Sequence, residues 1–165
     1  TTFTDIGLDC ATAYDYRVHS RGCGGFSAPA DASATTDSCD GPWVDLGSAF
    51  PGTHGDPVLT VTGPLFPHTP ISIQLTNALE GALAYFVVGI QELNAAFFGG
   101  NLVPDFTPPG FFIALPTNGA GAITIQELWP AGFPSGFDIY FQYWIVDAGA
   151  PFGFAGSNAV RGTTP

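Results

Sequence analysis

The 165-residue sequence contains no lysine and no methionine, and its basic side chains are Arg17, Arg21 and Arg161 alone. Set against 14 acidic residues, they leave a net charge of −11 at pH 7. Phosphate backbones require a basic footprint, so nucleic acid is excluded as a partner. Anionic lipid surfaces are disfavoured for the same reason. Charged residues of either sign make up 10% of the chain, against about 25% in an ordinary globular protein. The surface must therefore be built from Thr, Ser, Asn, Gly and Pro, which suits a secreted protein or one whose surface is hidden in an assembly. No apolar run nears the roughly 18 residues of a membrane span. Residues 82–90 are apolar but too short, so no membrane insertion is expected. With no Met, Thr1 is expected to be a mature N-terminus left by signal-peptide removal.

Catalytic signatures are missing as well. There is no G-x-S-x-G elbow. His19, His54 and His68 fall in expected loops or strand ends, where ordinary surface histidine is the better reading. No Cys or His pair has zinc-ligand spacing. Glu80, Glu92 and Glu127 form no facing carboxylate pair that spacing picks out. The chain is expected not to be an enzyme and to need no cofactor. The one candidate metal is Ca2+, for which Asp31, Asp37 and Asp40 cluster in a polar loop, with Asp5, Asp9 and Asp15 nearer the N-terminus. Hard cations want several oxygens at one point, but neither cluster matches an EF-hand loop.

What the chain does have is 22 Gly and 15 Pro, with 14% aromatic residues. Such a composition argues for many short strands joined by turns. The longest β-branched and aromatic run is FDIYFQYWIVD, Phe137 to Asp147. As a strand it points Ile139, Phe141, Tyr143 and Ile145 one way and Tyr140, Gln142, Trp144 and Val146 the other. Both sets are bulky, so it reads as a central strand covered on both faces. Residues 70–76 (PISIQLT) show the cleanest half-buried alternation, with Ile71, Ile73 and Leu75 inward. Further strands are expected at 13–18, 43–46, 57–62, 82–90, 111–115 and 122–128. Asn118-Gly119 is expected to make a hairpin of the last two. Residues 91–100 read as a connection with at most one helical turn, and Pro151 to Val160 as an edge segment around Ser157-Asn158. The expected fold is all-β: an antiparallel β-sandwich or jelly roll of roughly eight strands.

Residues 1–42 differ in kind from the sandwich core at 43–165, within what length makes a single domain overall. Arg21 to Gly41 is rich in small polar residues and is expected to be a loop. Cys10, Cys23 and Cys39 lie in or beside it. An oxidising compartment implies one disulfide. Of three pairings the favoured one is Cys23–Cys39, which staples the loop and leaves Cys10 free or intermolecular. Three tryptophans and several tyrosines offer a sugar platform, although on a sandwich they more often serve the core.

From Trp43 onward several elements form a recognisable pattern. They are Trp43-Val44-Asp45-Leu46-Gly47, Gly55-Asp56-Pro57-Val58-Leu59, Gly99-Gly100-Asn101-Leu102-Val103-Pro104, Tyr140 to Asp147 and Ser157-Asn158-Ala159-Val160. The pattern resembles the uncharacterised secreted β-sandwich domains at the C-termini of extracellular proteins of planctomycetes and similar bacteria. The resemblance covers residues 43–160 and implies a secreted, non-catalytic accessory or structural module, with no site residues carried over.

Two expectations of different class follow. The first is a non-catalytic extracellular structural protein, a fimbria-like subunit that forms a homo-polymer with copies of itself through β-strand and edge contacts. Its donor strand would be the N-terminal segment, through Phe3, Ile6 and Leu8. The alternative is a monomeric cell-surface module for adhesion or for binding surface glycans.

Overall fold

The structure, a computed structural model, describes Asp5, Leu8, residues 12–36 and residues 41–165. It divides into two compact units, Thr1–Gly41 and Pro42–Pro165. Among the described residues there is no helix, and all strand pairing is antiparallel.

In the second unit the expected central strand is β13, Asp138–Val146. It pairs on one side with β8 (Leu83–Gly89) and on the other with β14 (Phe154–Gly156) and β15 (Ala159–Thr163). With β11 (Phe111–Pro116) and β5 (Trp43–Gly47) at its two edges, the larger sheet runs β11-β8-β13-β15-β5. A smaller sheet, β12-β7-β6, is built from Ile123–Leu128, Pro70–Thr76 and Val58–Thr62. The main core lies between these sheets. Ile71, Ile73 and Leu75 of β7 and Leu59 and Val61 of β6 meet Phe86 and Val88 of β8 and Phe141, Tyr143 and Ile145 of β13. Each large side chain fully buried there contributes about 1.5–3 kcal/mol. Trp43 closes one side of the core, and its ring lies where a Cβ on Gly162 would stand, so only glycine fits beneath it.

The opposite face of β13 is covered too. A hairpin of β9 (Glu92–Phe97) and β10 (Gly100–Pro104) packs over it, and Leu102 and Val87 bury Trp144. Gln142 fastens this layer. Its carbonyl accepts from the Val103 amide at 3.0 Å, and its amide nitrogen donates to the Asn101 carbonyl at 3.0 Å and the Ser157 carbonyl at 3.2 Å. A fully buried amide must find such partners or destabilise the fold.

Four expectations are corrected. Residues 91–100 are not a simple connection or helical turn but supply β9, which takes a positive φ of 49° at Asn94 and is followed by a turn with φ 42° at Phe98. β11 and β12 do not form a hairpin: β11 pairs with β8 and β12 with β7, so the Asn118 turn is a crossover between sheets. The Asn118 carboxamide oxygen holds it by accepting from the amides of Ala120 and Ala122 at 2.8 and 3.0 Å. The Ser157-Asn158 segment is interior, not an edge. The Ser157 amide bonds the Tyr143 carbonyl, and its hydroxyl accepts from the Tyr143 amide, which bridges the break between β14 and β15. The second unit has eleven strands, against roughly eight expected of the sandwich.

In the first unit β1 (Ala13–Val18) pairs with β4 (Ala30–Thr35), and a small hairpin of β2 (Arg21–Gly22) and β3 (Gly25–Phe26) lies between them. Within the expected loop at 21–41, residues 21–22, 25–26 and 30–35 are therefore paired strand. Its low apolar content was a poor guide, because the ladder rests on backbone hydrogen bonds: every residue of β4 is exposed.

Candidate functional site

The two edges of the larger sheet are finished differently. At the β5 edge the sandwich is laced shut by Asn158. Its carboxamide accepts from the Leu59 amide at 2.7 Å and donates to the Leu59 carbonyl at 3.0 Å, so one side chain satisfies the outward N–H and C=O of β6. The same amide nitrogen donates to Asp45 of β5 at 3.1 Å.

At the β11 edge nothing comparable is present: among the described residues no side chain bonds its outer backbone. Its register against β8 places Phe111, Ile113 and Leu115 opposite Val88, Phe86 and Ala84, on the core face. Ala84, Phe86 and Val88 are 0–5% exposed, whereas Phe111 and Ile113 are 51% and 41% exposed. The core is thus covered as far as β8 and, at β11, covered in part by Leu115 but open at Phe111 and Ile113. Edge strands usually carry lysine, a bulge or an inward charge as protection against pairing. β11, FFIALP, carries none of these, its one edge-blunting residue being the proline at its end, Pro116, and residues 106–126 contain no ionisable side chain.

On the outer face the hairpin β9–β10 covers β13 but stops short of β11, leaving a groove of about 410 Å³. Its floor is Tyr85, Val87 and Trp144, one wall is Phe97, Leu102 and Phe154, and the other is Phe106 and Phe112. The rings support one another edge-on: Phe97 meets Trp144 at 4.9 Å, and Phe112 meets Tyr85 at 6.0 Å and Phe106 at 6.1 Å. β10 reaches Trp144 because Gly100 has no Cβ; one would stand 3.0 Å from the indole. The volume is that of a small-molecule or side-chain pocket. Its lining is almost wholly apolar, which suits hydrocarbon and leaves sugar hydroxyls without partners.

Asp147 closes the far end of β13. Burial pushes its pKa up, but bonds from the Thr53 hydroxyl (2.6 Å), the Thr53 amide (2.7 Å) and the Gly149 amide (2.9 Å) outweigh that and hold it below its ordinary value. On the exposed rim, a 3.0 Å bond from His54 lowers the pKa of Glu80. The buried Tyr143 hydroxyl has no partner, and burial raises its pKa well above the ordinary value.

The residues singled out in the sequence are scattered. Asp31 is engaged by Arg17 through a two-pronged pair at 2.7 and 3.3 Å, which occupies the carboxylate a cation would need. Asp37 and Asp40 lie outside the described residues. No group of three or more His, Cys, Asp or Glu among the described residues could hold a metal. Cys23 sits at the tip of the β2–β3 turn as a free, exposed thiol, so the Cys23–Cys39 staple is not formed in this structure. The hairpin's own ladder closes the turn there. Cys39 and Cys10 lie outside the described residues, as do Phe3 and Ile6; Leu8 is half-buried. Trp43, Trp129 and Trp144 are all buried, so no exposed tryptophan platform exists. The groove and the bare edge went unnoticed in the sequence, although the charge-free run around FFIAL was their visible sign. No family model and no curated protein matches this chain.

Proposed function

We propose that the protein is a non-catalytic structural subunit of an extracellular surface filament, polymerising when a strand from one copy adds to the β11 edge of the next. The observation that carries this reading is the half exposure of Phe111 and Ile113 on the core face of an unprotected edge strand. A strand laid beside β11 satisfies its outward backbone groups and covers both side chains. The charge distribution supports a second copy as the partner. Subunits of charge −11 repel one another, and contact is cheapest where residues 106–126 offer no charge. The small share of charged residues and the absence of lysine fit a secreted protein.

The N-terminal segment is the donor in this reading, with Phe3, Ile6 and Leu8 entering the gap. Removal of Thr1 to Leu8 tests it. The truncated protein is expected to fold, to stay monomeric, and to bind a synthetic peptide of residues 1–9 at β11. Truncated protein that still forms normal fibres overturns strand donation by this segment. An aromatic groove with so little polar lining gives the glycan-binding alternative no support.

A further inference from the structure

Strand addition at β11 leaves two features unused. One is the groove on the outer face. The other is Phe26, the most exposed large hydrophobic side chain among the described residues at 72%. It stands on the β2–β3 hairpin of the first unit, between His19, whose ring is 6.1 Å away and edge-on, and Arg21, whose guanidinium carbon is 5.9 Å from the ring centre. A lone exposed phenylalanine is unremarkable on most surfaces. This one stands opposite Arg21 on a small hairpin whose strand residues are all exposed and which carries positive charge in a strongly acidic chain. No acidic residue occurs between Asp15 and Asp31.

The groove is complementary in both respects. It presents aromatic rings and no charged lining residue, so a phenyl ring can enter without stripping water from an ion. Asp105 precedes the groove residue Phe106 in the chain and lines a neighbouring depression with Gln91 and Thr107. The Thr107 hydroxyl and amide bond the Asp105 carboxylate at 2.7 and 2.9 Å and fix its position.

We propose that this groove receives the exposed face of the β2–β3 hairpin of a second copy, with Phe26 inserted among Tyr85, Phe106 and Phe112 and Arg21 placed beside Asp105. Knob and groove are different surfaces of one chain, so the contact is heterologous and propagates from copy to copy. The inference shares with the reading above the premise that copies associate, but uses a different face. An aromatic anchor in a desolvated pocket with one flanking charge pair is the usual composition of an interface hot spot.

Two variants at exposed side chains test it, Phe26→Ser and Phe106→Glu, each first confirmed to unfold at the wild-type urea concentration. In sedimentation velocity the wild type is expected to associate as concentration rises. Each variant alone should associate about tenfold or more weakly, as loss of one hot spot implies. With the β11 edge blocked by Ile113→Lys in both chains, a one-to-one mixture should form dimers and nothing larger, because the intact groove of one variant meets the intact Phe26 of the other. Arg21→Asp should weaken association, and adding Asp105→Arg to the same chain should restore it. Wild-type association by Phe26→Ser, or a mixture that stays monomeric, overturns the proposal. Ile113→Lys separates it from strand addition. If Ile113→Lys abolishes association and Phe26→Ser does not, this contact is wrong and the β11 reading stands; the reverse result leaves this contact standing and removes the other. A wild-type chain that stays monomeric overturns both.

Discussion

The β5–β6 side and the β11–β12 side of the sandwich face the same physical demand and meet it in opposite ways. Both sheets must end somewhere, and each end leaves backbone donors and acceptors and a line of half-covered core. On the first side Asn158 supplies a carboxamide in place of a peptide unit to β6, while Asp45 ties it to β5. Trp43 fills the remaining gap, with its indole N–H on the Gly63 carbonyl at 2.7 Å. On the second side, Phe111 and Ile113 are exposed and no side chain among the described residues replaces a missing neighbour. The closed side shows that this chain can finish an edge with a handful of polar groups. That it does not do so at β11 is why we read that edge as one kept for a partner.

Substitutions on the two sides should therefore have opposite signatures. The largest loss of stability is expected at Asn158→Ala. It leaves the Leu59 amide and carbonyl unpaired in a buried place, at a cost of about 2–4 kcal/mol. Urea unfolding should show this, with association at fixed folded concentration unchanged. Asp147→Asn should cost about 1–3 kcal/mol, because its bonds to Thr53 and Gly149 are charge-assisted. The sign with pH follows from its lowered pKa. The folded carboxyl titrates below the ordinary value of 3.8, so its stabilisation is fully present above about pH 4 and fades as pH falls through the folded pKa. Unfolding curves from pH 6 down to pH 2 should converge for wild type and Asp147→Asn. A gap that stays constant across that range contradicts the assignment.

Ile113→Lys, on the open side, should change stability by no more than about 1 kcal/mol, since the side chain is half in water. It should nonetheless abolish fibres, because a charge on an edge strand blocks pairing. A large stability loss with fibres intact would invert the comparison. The smallest effect is expected outside the sandwich, at Cys23→Ser. A free exposed thiol predicts a change within about 0.5 kcal/mol, whereas a bridge to Cys39 would predict a loss of about 3 kcal/mol in the chain-entropy model.

The parts of the fold that were legible in the sequence are those set by side-chain period. Ile71, Ile73 and Leu75 face the core as their alternation requires, and the two bulky faces of β13 are both buried except at Val146, which is exposed. Features that depend on backbone hydrogen bonds or on distant partners were not legible. β4 buries no side chain, so hydrophobicity carries no trace of it. β9 bends through positive φ at Asn94, which strand propensity does not anticipate. Ser157 and Asn158 look like surface residues until their partners, Tyr143 and Leu59, are known. The edge position of β11 is a property of the whole sheet: FFIAL reads equally well as a buried strand, and only the pairing with β8 on one side shows that the other side is bare.

Amide hydrogen exchange on β11, followed from dispersed subunits into assembled material, tests that bare side directly. Alternate amides of an edge strand point away from its one neighbour. In dispersed protein those outward amides of Phe111 to Leu115 should exchange rapidly while the inward ones, bonded to β8, are protected. On assembly the outward set should slow by orders of magnitude, and the amides of β6 and β5 should not change. Outward β11 amides that exchange as fast in fibres as in free subunits would contradict strand addition at this edge.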